Sequence, residues 1–269
     1  MKKCCVISSF DPITTSQFNA IKALLKQGVD EIIVSMVNEK PIQKQLVEAY
    51  IKPFAKKIIY QAHVNIDDYD LVISDSQQQL DHMQKIRWGW YWDMPSWAAN
   101  ILNTSGIYYD EMLHHYLRDK RYLHSKSVQQ VSIDIAKSNQ LDVSKASTIG
   151  LLHDVCKHMD DQTIINYALK MDKHALDYPL ATLHAQAGAY FVRHFLRITD
   201  RQIIQAIQYH ALGEKVSPYV RMVFVADKAD PSRGYDSSKT LNLTKQNLAK
   251  GYRLAKQESI EFLKHHHKI

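Results

Sequence analysis

Six residues with the side chains of metal ligands stand out in this 269-residue sequence. Four are histidines and two are aspartates, namely His124, His153, Asp154, His184, His210 and Asp227. Imidazole and carboxylate groups without a thiolate form a ligand set for one or two divalent metal ions. The expected chemistry is metal-dependent hydrolysis. Divalent ions hold phosphoryl oxygens, so the expected substrate carries phosphates.

The adjacent pair His153-Asp154 carries most of this argument, because it lies in an apolar stretch. The pattern predicts a helix over residues 144–158, capped by Ser144. In such a helix a buried carboxylate without a partner is strongly unfavourable, and a metal ion removes that penalty. The alternative is a buried polar network without metal, since a single histidine on an apolar helix face is more often a core residue than a ligand.

The elements that must position these residues follow two patterns along the chain. The first part alternates strand and helix patterns, which predicts a small parallel α/β unit. Apolar runs predict strands at residues 4–7, 32–34, 58–60 and 71–73. Helical spacing predicts helices over residues 15–27 and from Pro41 to Tyr50. Four tryptophans follow, and we expect them to form a core or interdomain plug; they are Trp88, Trp90, Trp92 and Trp97.

From about residue 105 only helical patterns remain. We expect His124 and His184 each to begin a helix, and His210 to end a helix capped by Thr199. Ser217-Pro218 predicts a cap followed by the first residue of a helix that ends near Asp227. The predicted fold class is therefore α+β, with a small parallel α/β domain over residues 1–104 and an all-α bundle of six or more helices over residues 105–269.

Composition limits the class of protein. A hydrophobic content of 45% allows a packed core, and a net charge of +6 suits a polyanionic substrate. Lysine and arginine are scattered rather than clustered, so nucleic acid is not an expected partner. Three cysteines give no disulfide framework, and no apolar run reaches the length of a membrane span. We expect a cytoplasmic protein without membrane contact, whose His265-His266-His267 segment is a solvated tail.

The order of these motifs resembles that of the HD-domain phosphohydrolases, which have a histidine, a His-Asp pair and a distant aspartate. Here these are His124, His153-Asp154 and Asp227. The closer resemblance is to the bacterial symmetrical bis(5′-nucleosyl)-tetraphosphatases. The matching segments are residues 120–125, 151–157, 184–190, 206–213 and 225–233. The resemblance implies that the all-α half is an HD domain that cleaves diadenosine tetraphosphate into two ADP.

The resemblance also implies a two-metal centre. One ion would be held by His124, His153, Asp154 and Asp227. The second would be held by His184 and His210, with Asp154 bridging. Iron is the favoured ion, and manganese, zinc, cobalt and magnesium are alternatives, because nitrogen and oxygen ligands accept several divalent metals. Two such ions lower the pKa of a shared water and hold phosphoryl oxygens.

Three residues are candidates for catalysis: Asp154 as the bridging ligand, and Lys157 and Arg233 as phosphate contacts. Lys157 follows His153 by four residues, so on one helix both would share a face. Arg233 lies shortly after Asp227, and its guanidinium can bind two oxygens. The alternatives are a solvent-facing lysine and a loop arginine. Asp230 and Tyr209 are interpreted as structural.

Residues 1–75 resemble the nucleotidyltransferase fold of nicotinate-nucleotide adenylyltransferases. The similar segment is residues 8–17, but Thr14 and Gln17 stand where the family has two histidines, and Ser8-Ser9 replace glycines. Neither substitute is a cation at neutral pH, and serine reduces the close backbone approach that glycine allows a phosphate. The interpretation is a degenerate structural or regulatory domain that offers no cofactor-binding residues.

Three functions are therefore weighed. The first is symmetrical cleavage of diadenosine tetraphosphate, with a dinucleoside polyphosphate as the partner. The second is an HD phosphohydrolase or phosphodiesterase acting on another nucleotide. The third is a nucleotide-sensing binding protein with a metal-stabilised scaffold. The sequence does not determine the oligomeric state, and a homodimer is one option.

Overall fold

The computed structural model describes residues 2–37, 40–54, 58–214 and 217–265. The chain divides into two compact units, Met1–Met112 and Leu113–Ile269. This division comes later than the boundary at residue 104 predicted from sequence. The reason is that Tyr108 Oη donates to Asp11 Oδ1 at 2.6 Å, and Glu111 pairs with Arg87 at 3.0 Å, so these residues pack with the first unit.

The first unit contains the predicted four-stranded sheet. Its strands are β1 (Lys3–Ser8), β2 (Glu31–Met36), β3 (Ile58–Tyr60) and β4 (Leu71–Ser74). All neighbours are parallel, and the order is β3-β2-β1-β4. The buried residues of β1 and β2 form the centre of the core, whereas Leu71 and Val72 on the edge strand are exposed. The prediction of a small parallel α/β domain is confirmed.

Five helices accompany or follow this sheet. They are α1 (Thr15–Lys26), α2 (Pro41–Ile51), α3 (Gln77–Arg87), α4 (Ser96–Ser105) and α5 (Tyr109–Tyr116), the last of which runs across the division between the units. The first two lie between strands, as the alternating pattern predicts. Pro41 occupies the first turn of α2, where its missing N–H leaves no hydrogen bond unmade.

The expectation of a core plug is wrong, because none of the four tryptophans is buried. Trp92 and Trp97 are 58% and 41% exposed, and Trp88 and Trp90 are only half-buried. The fully buried aromatic side chain of this segment is Tyr91. A large indole has enough apolar surface to be half-covered at the rim of a core, so tryptophan content alone did not identify the buried positions.

The two positions where the adenylyltransferase family has histidines are saturated by internal hydrogen bonds. Thr14 caps α1, since its side chain accepts a hydrogen bond from the Gln17 backbone N–H. In turn, the Thr14 backbone N–H donates to Gln17 Oε1. The Gln17 amide then donates to Asp75 at 2.7 Å and to Ser8 at 2.9 Å, while Ser8 donates to Asp75 at 2.7 Å. Thr14 is 0% and Gln17 4% exposed. The network therefore places the Asp75 carboxylate where a bound phosphate would need hydrogen-bond donors.

We therefore expect the protein to form no dinucleotide from ATP and nicotinate mononucleotide. The donors of Gln17 are already occupied, and the charge of Asp75 repels a phosphate. Chromatography of the reaction mixture checks this. Product above the blank that disappears in Asp11→Ala would overturn the interpretation of an inactive first domain.

The second unit is all helical in its described residues, which confirms the predicted helical half. Its helices are α6 (Asp119–Ser138), α7 (Val143–Leu152), α8 (Asp161–Met171), α9 (Leu183–His194), α10 (Arg201–Tyr209), α11 (Pro218–Lys228), α12 (Ser238–Gln246) and α13 (Leu248–His265). Ser217 caps α11 and Pro218 opens it, as predicted. In the described ranges no helix is both long and apolar enough to span a membrane.

A glycine allows two of these helices to approach closely. A Cβ at Gly150 on α7 would lie 2.7 Å from Gln129 Cα and 2.9 Å from the Val128 carbonyl oxygen on α6. Both distances are far shorter than a packed interior permits, so only glycine fits. The close contact brings the two metal-ligand segments, around His124 and after Leu152, next to each other.

The helix predicted over residues 144–158 is shorter in the structure. It is capped by Asp142, not Ser144, and it ends at Leu152. The next residues form turns in which backbone N–H groups bond to carbonyls three residues earlier: Val155 to Leu152, Lys157 to Asp154 and Met159 to Cys156. His153 and Asp154 therefore follow the helix rather than lie inside it. The directions of their side chains are not fixed by the spacing of a helix.

Candidate metal centre

The structure brings all six predicted ligands to one place in the second unit. His124 comes from α6, His153 and Asp154 from the turns after α7, His184 from the first turn of α9, His210 from the end of α10 and Asp227 from the last turn of α11. The first five are buried, and the Asp227 side chain is 14% exposed. Five separate elements thus supply one polar cluster inside an apolar bundle.

Asp154 lies at the centre of the cluster. Its Oδ1 is 3.1 Å from His184 Nε2 and 3.5 Å from His210 Nε2. Its Oδ2 is 3.6 Å from His153 Nε2 and 3.9 Å from His124 Nε2. Each carboxylate oxygen therefore faces one pair of histidines. Two groups of potential ligand atoms result, and Asp154 belongs to both.

The second aspartate faces only one of these pairs. Asp227 Oδ1 lies 3.1 Å from His124 Nε2 and 3.9 Å from His153 Nε2. One group therefore has two carboxylates and two imidazoles, and the other has one carboxylate and two imidazoles. The family resemblance implies two ion sites with the same grouping of residues.

Three of the histidines are oriented in the same way. The Nδ1 atom of each lies within hydrogen-bond distance of the backbone carbonyl three residues earlier: His153 to Gly150 at 2.8 Å, His184 to Ala181 at 2.9 Å and His210 to Ile207 at 2.8 Å. A carbonyl can only accept, so Nδ1 carries the proton in this arrangement. The Nε2 lone pair then points into the cluster, as in a metal-binding histidine.

His124 is oriented by a side chain instead. Its Nδ1 lies 2.5 Å from Asp230 Oδ2, and Ser127 Oγ donates to Asp230 Oδ1 at 2.7 Å. Asp230 is 1% exposed. A carboxylate behind a ligating histidine fixes the ring and raises its basicity. From the sequence, Asp230 is interpreted as structural. In the structure, its specific role is to position His124.

Asp230→Asn is expected to lower metal affinity by about 10–100-fold, the usual effect of removing a carboxylate behind a ligating histidine. The amide keeps the shape but loses the charge that holds the His124 ring. Competition with a chelator measures the affinity. Ser127→Ala, which removes one bond to Asp230, should have a smaller effect, and an unchanged affinity in Asp230→Asn would contradict the positioning role.

The electrostatics of the cluster fit a divalent cation. His153 is fully buried, and its Nε2 has no hydrogen-bond partner within the described part of the chain. An unsatisfied buried polar atom costs about 1–3 kcal/mol, and a metal ion would satisfy it. Burial lowers the pKa of His153 to about 4 and also lowers the pKa of His184, so both rings are neutral at pH 7. Neutral imidazole is the form that binds a metal.

Four cationic side chains lie beside the cluster in the described part of the chain, and one of them is Lys228, whose Nζ lies 3.9 Å from Asp227 Oδ2. Arg121 Nη1 lies 2.9 Å from Asp154 Oδ2, and Arg233 Nη2 lies 2.5 Å from Asp227 Oδ1. Lys157 Nζ lies 3.0 Å from His184 Nδ1. The structure thus places both proposed phosphate contacts beside the ligands. Lys157 reaches its place from a turn, so the argument from a shared helical face was wrong.

Sequence reasoning missed Arg121 as a site residue. It lies on α6 three residues before His124, a spacing that puts both side chains on one helix face. That spacing was a usable signal. It was not specific, because the same helix carries other cations nearby, Lys120 and Lys126.

Comparisons with known proteins lead to the same region. The HD-domain family model matches residues 121–232. A Staphylococcus aureus protein named symmetrical bis(5′-nucleosyl)-tetraphosphatase is 30% identical over 155 residues, which are 55% of this chain and 79% of that protein. A Clostridium acetobutylicum crystal structure, described as a predicted HD superfamily hydrolase involved in NAD metabolism, shares the fold. Its TM-score is 0.53 at 24% identity, over 58% of this chain and 85% of that one.

A longer match extends into the first unit. A Mycoplasma genitalium protein named probable nicotinate-nucleotide adenylyltransferase/Ap4A hydrolase is 30% identical over 210 residues. The match covers 74% of this chain but only 58% of that relative. The family match, these relatives and the histidine–aspartate cluster agree. The chain belongs to the HD-domain family of symmetrical bis(5′-nucleosyl)-tetraphosphatases.

Proposed function

We propose that this chain hydrolyses diadenosine tetraphosphate symmetrically to two ADP at the cluster in its second unit, and that its first unit is inactive as a transferase. The observation that carries the proposal is the position of Asp154, with one carboxylate oxygen toward each pair of histidines. The names of the relatives support the choice of substrate.

The proposed ligands divide as the distances suggest. His124, His153, Asp154 and Asp227 would hold one divalent ion, and His184 and His210 the other, with Asp154 shared. Iron is the proposed ion, and manganese, zinc, cobalt or magnesium are the alternatives, since this donor set accepts several metals. When bound, such ions lower the pKa of water and hold phosphoryl oxygens.

Three of these cations have different tasks in this proposal. Arg121 and Arg233 each pair with a ligand carboxylate, so they hold Asp154 and Asp227 in place. The Lys157 ammonium donates to the Ala181 carbonyl and lies beside the neutral ring of His184, and it pairs with no carboxylate of the described residues. Its charge is therefore available to a substrate phosphate, where it would stabilise negative charge that develops in the transition state.

Diadenosine tetraphosphate should give ADP as the sole nucleotide product. Symmetrical cleavage requires the cluster and Lys157 to bind the middle of the phosphate chain, so that ADP is the leaving group. Chromatography at early times measures the products, with a chelator-treated sample as the control. Equal amounts of ATP and AMP would reject the proposed mode of cleavage.

A panel of nucleotides separates the other two functions. Turnover of a different nucleotide, with diadenosine tetraphosphate left intact, would favour a phosphohydrolase or phosphodiesterase of other specificity. Binding without turnover of any nucleotide would favour a nucleotide-sensing protein. We propose a cytoplasmic enzyme whose partner is a nucleotide and neither nucleic acid nor a membrane; a homodimer stays an option that gel filtration would test.

A further inference from the structure

A cavity of about 420 Å³ lies beside the metal centre, where α8 faces the 3-10 turn Leu180–Thr182 and the start of α9. Five of its eight lining side chains are apolar, and they are Ile164, Ile165, Leu180, Ala181 and Leu183. Cavities of roughly 300–1,000 Å³ with mostly apolar walls are the usual sites for small organic ligands. The size and lining of this cavity therefore suit a flat organic group such as a nucleobase.

Two polar residues connect the cavity to the metal centre. Lys157 and His184 both line it. His184 Nε2 also lies 3.1 Å from Asp154 Oδ1, and Lys157 Nζ lies 3.0 Å from His184 Nδ1. A ligand that enters the cavity thus meets a cation and a candidate metal ligand on one side and five apolar side chains elsewhere, and the Asp161 carboxylate is the remaining lining group. A nucleoside phosphate has the matching order of charge and apolar surface.

The apolar wall has a buried part, called the floor, and an exposed part at the cavity entrance, called the rim. Leu183 is 1% exposed and belongs to a buried cluster with Ala168 and Ala175, against which Ile164 and Ile165 pack. Leu180, by contrast, is 69% exposed. The floor is therefore held by the core of the unit, while the rim offers apolar surface that a bound base would cover.

We propose that this cavity binds one nucleoside end of the substrate, with the base against the apolar wall and the phosphate chain extending past Lys157 to the candidate metal centre. The identity of the whole substrate rests on the proposed function. The cavity assignment itself requires only a nucleoside phosphate. Specificity for a nucleotide over an inorganic polyphosphate then comes from the apolar wall, because an inorganic polyphosphate has no base to contact it.

Leu180→Ser tests this assignment, with Leu176→Ser as its matched control. Both leucines lie in short 3-10 turns and are exposed, 69% and 54%, so neither substitution opens the core. Leu176 is not among the residues that line the cavity. Calorimetry on the metal-loaded protein measures the binding of ADP and of inorganic pyrophosphate. We expect Leu180→Ser to weaken ADP binding about tenfold, the effect of losing apolar contact in a pocket, and to leave pyrophosphate binding unchanged.

Other outcomes overturn the assignment. These are no ADP binding by the unaltered protein, unchanged ADP affinity in Leu180→Ser, an equal loss for pyrophosphate, or an equal loss in Leu176→Ser. Hydrolysis of diadenosine tetraphosphate is assayed separately on the unaltered protein. If hydrolysis is absent but Leu180→Ser selectively weakens ADP binding, the cavity assignment stands and the proposed function fails. If hydrolysis is present but the ADP affinity is unchanged in Leu180→Ser, the proposed function stands and the cavity assignment fails.

Discussion

Asp154→Ala should lose its bound metal and its hydrolytic activity together. The carboxylate lies 3.1 to 3.9 Å from the Nε2 atoms of four histidines, so one substitution removes a ligand from both proposed ion sites. We expect the rate to fall by more than about a thousandfold, the upper range for loss of a single electrostatic contact. Elemental analysis and the initial rate of ADP formation measure the two losses.

The same variant should also melt at a lower temperature than the metal-loaded protein. A ligand that binds only the folded state stabilises it, so loss of the metal removes that stabilisation. Asp177→Ala is a suitable control, because the Asp177 side chain is 79% exposed and lies outside the cluster. Full metal content in Asp154→Ala would refute the shared ligand.

Lys157→Ala should reduce kcat and leave the metal content intact. A protonated lysine is not a metal ligand, and Lys157 lies beside His184 where a substrate phosphate would bind. We expect a loss of roughly tenfold to a thousandfold, the range for one charge contact made in the transition state. Steady-state kinetics and metal analysis on the same preparation measure both properties.

Two results would change the role given to Lys157. An unchanged rate would make it a solvated lysine without a catalytic part. Loss of metal together with rate would show that its contact with His184 supports the ligand instead. Lys157→Arg separates charge from shape, because arginine keeps the charge and should restore part of the rate.

The fold was predictable where the pattern is local. The apolar runs at β1 to β4 and the amphipathic spacing of the later helices identify both halves of the chain. The end of α7 was not predictable, because neither glycine nor proline follows Leu152 to stop the helix. One contact that holds these turns is tertiary, because Asp154 pairs with Arg121, which lies 33 residues earlier.

The candidate metal-ligand residues of the site were predictable from the sequence, whereas the residues that orient them were not. Residue type and motif order identified the six candidate ligands that the structure brings together, and the family resemblance implied their division into two groups. Asp230 and Arg121 acquire their roles only through contacts with His124 and Asp154 that lie far away in sequence. Such contacts leave no periodic signal in a single chain, so the structure was needed to find them.

The two ways of orienting the histidines have a consequence for synthesis on the ribosome. His153, His184 and His210 are each oriented by a carbonyl three residues earlier, so each can point correctly as soon as its own turn forms. His124 depends on Asp230, which is translated 106 residues later. The proposed ion site of His184 and His210 should therefore become competent before the proposed site that includes His124, and a nascent chain should bind the ion of the His124 site last.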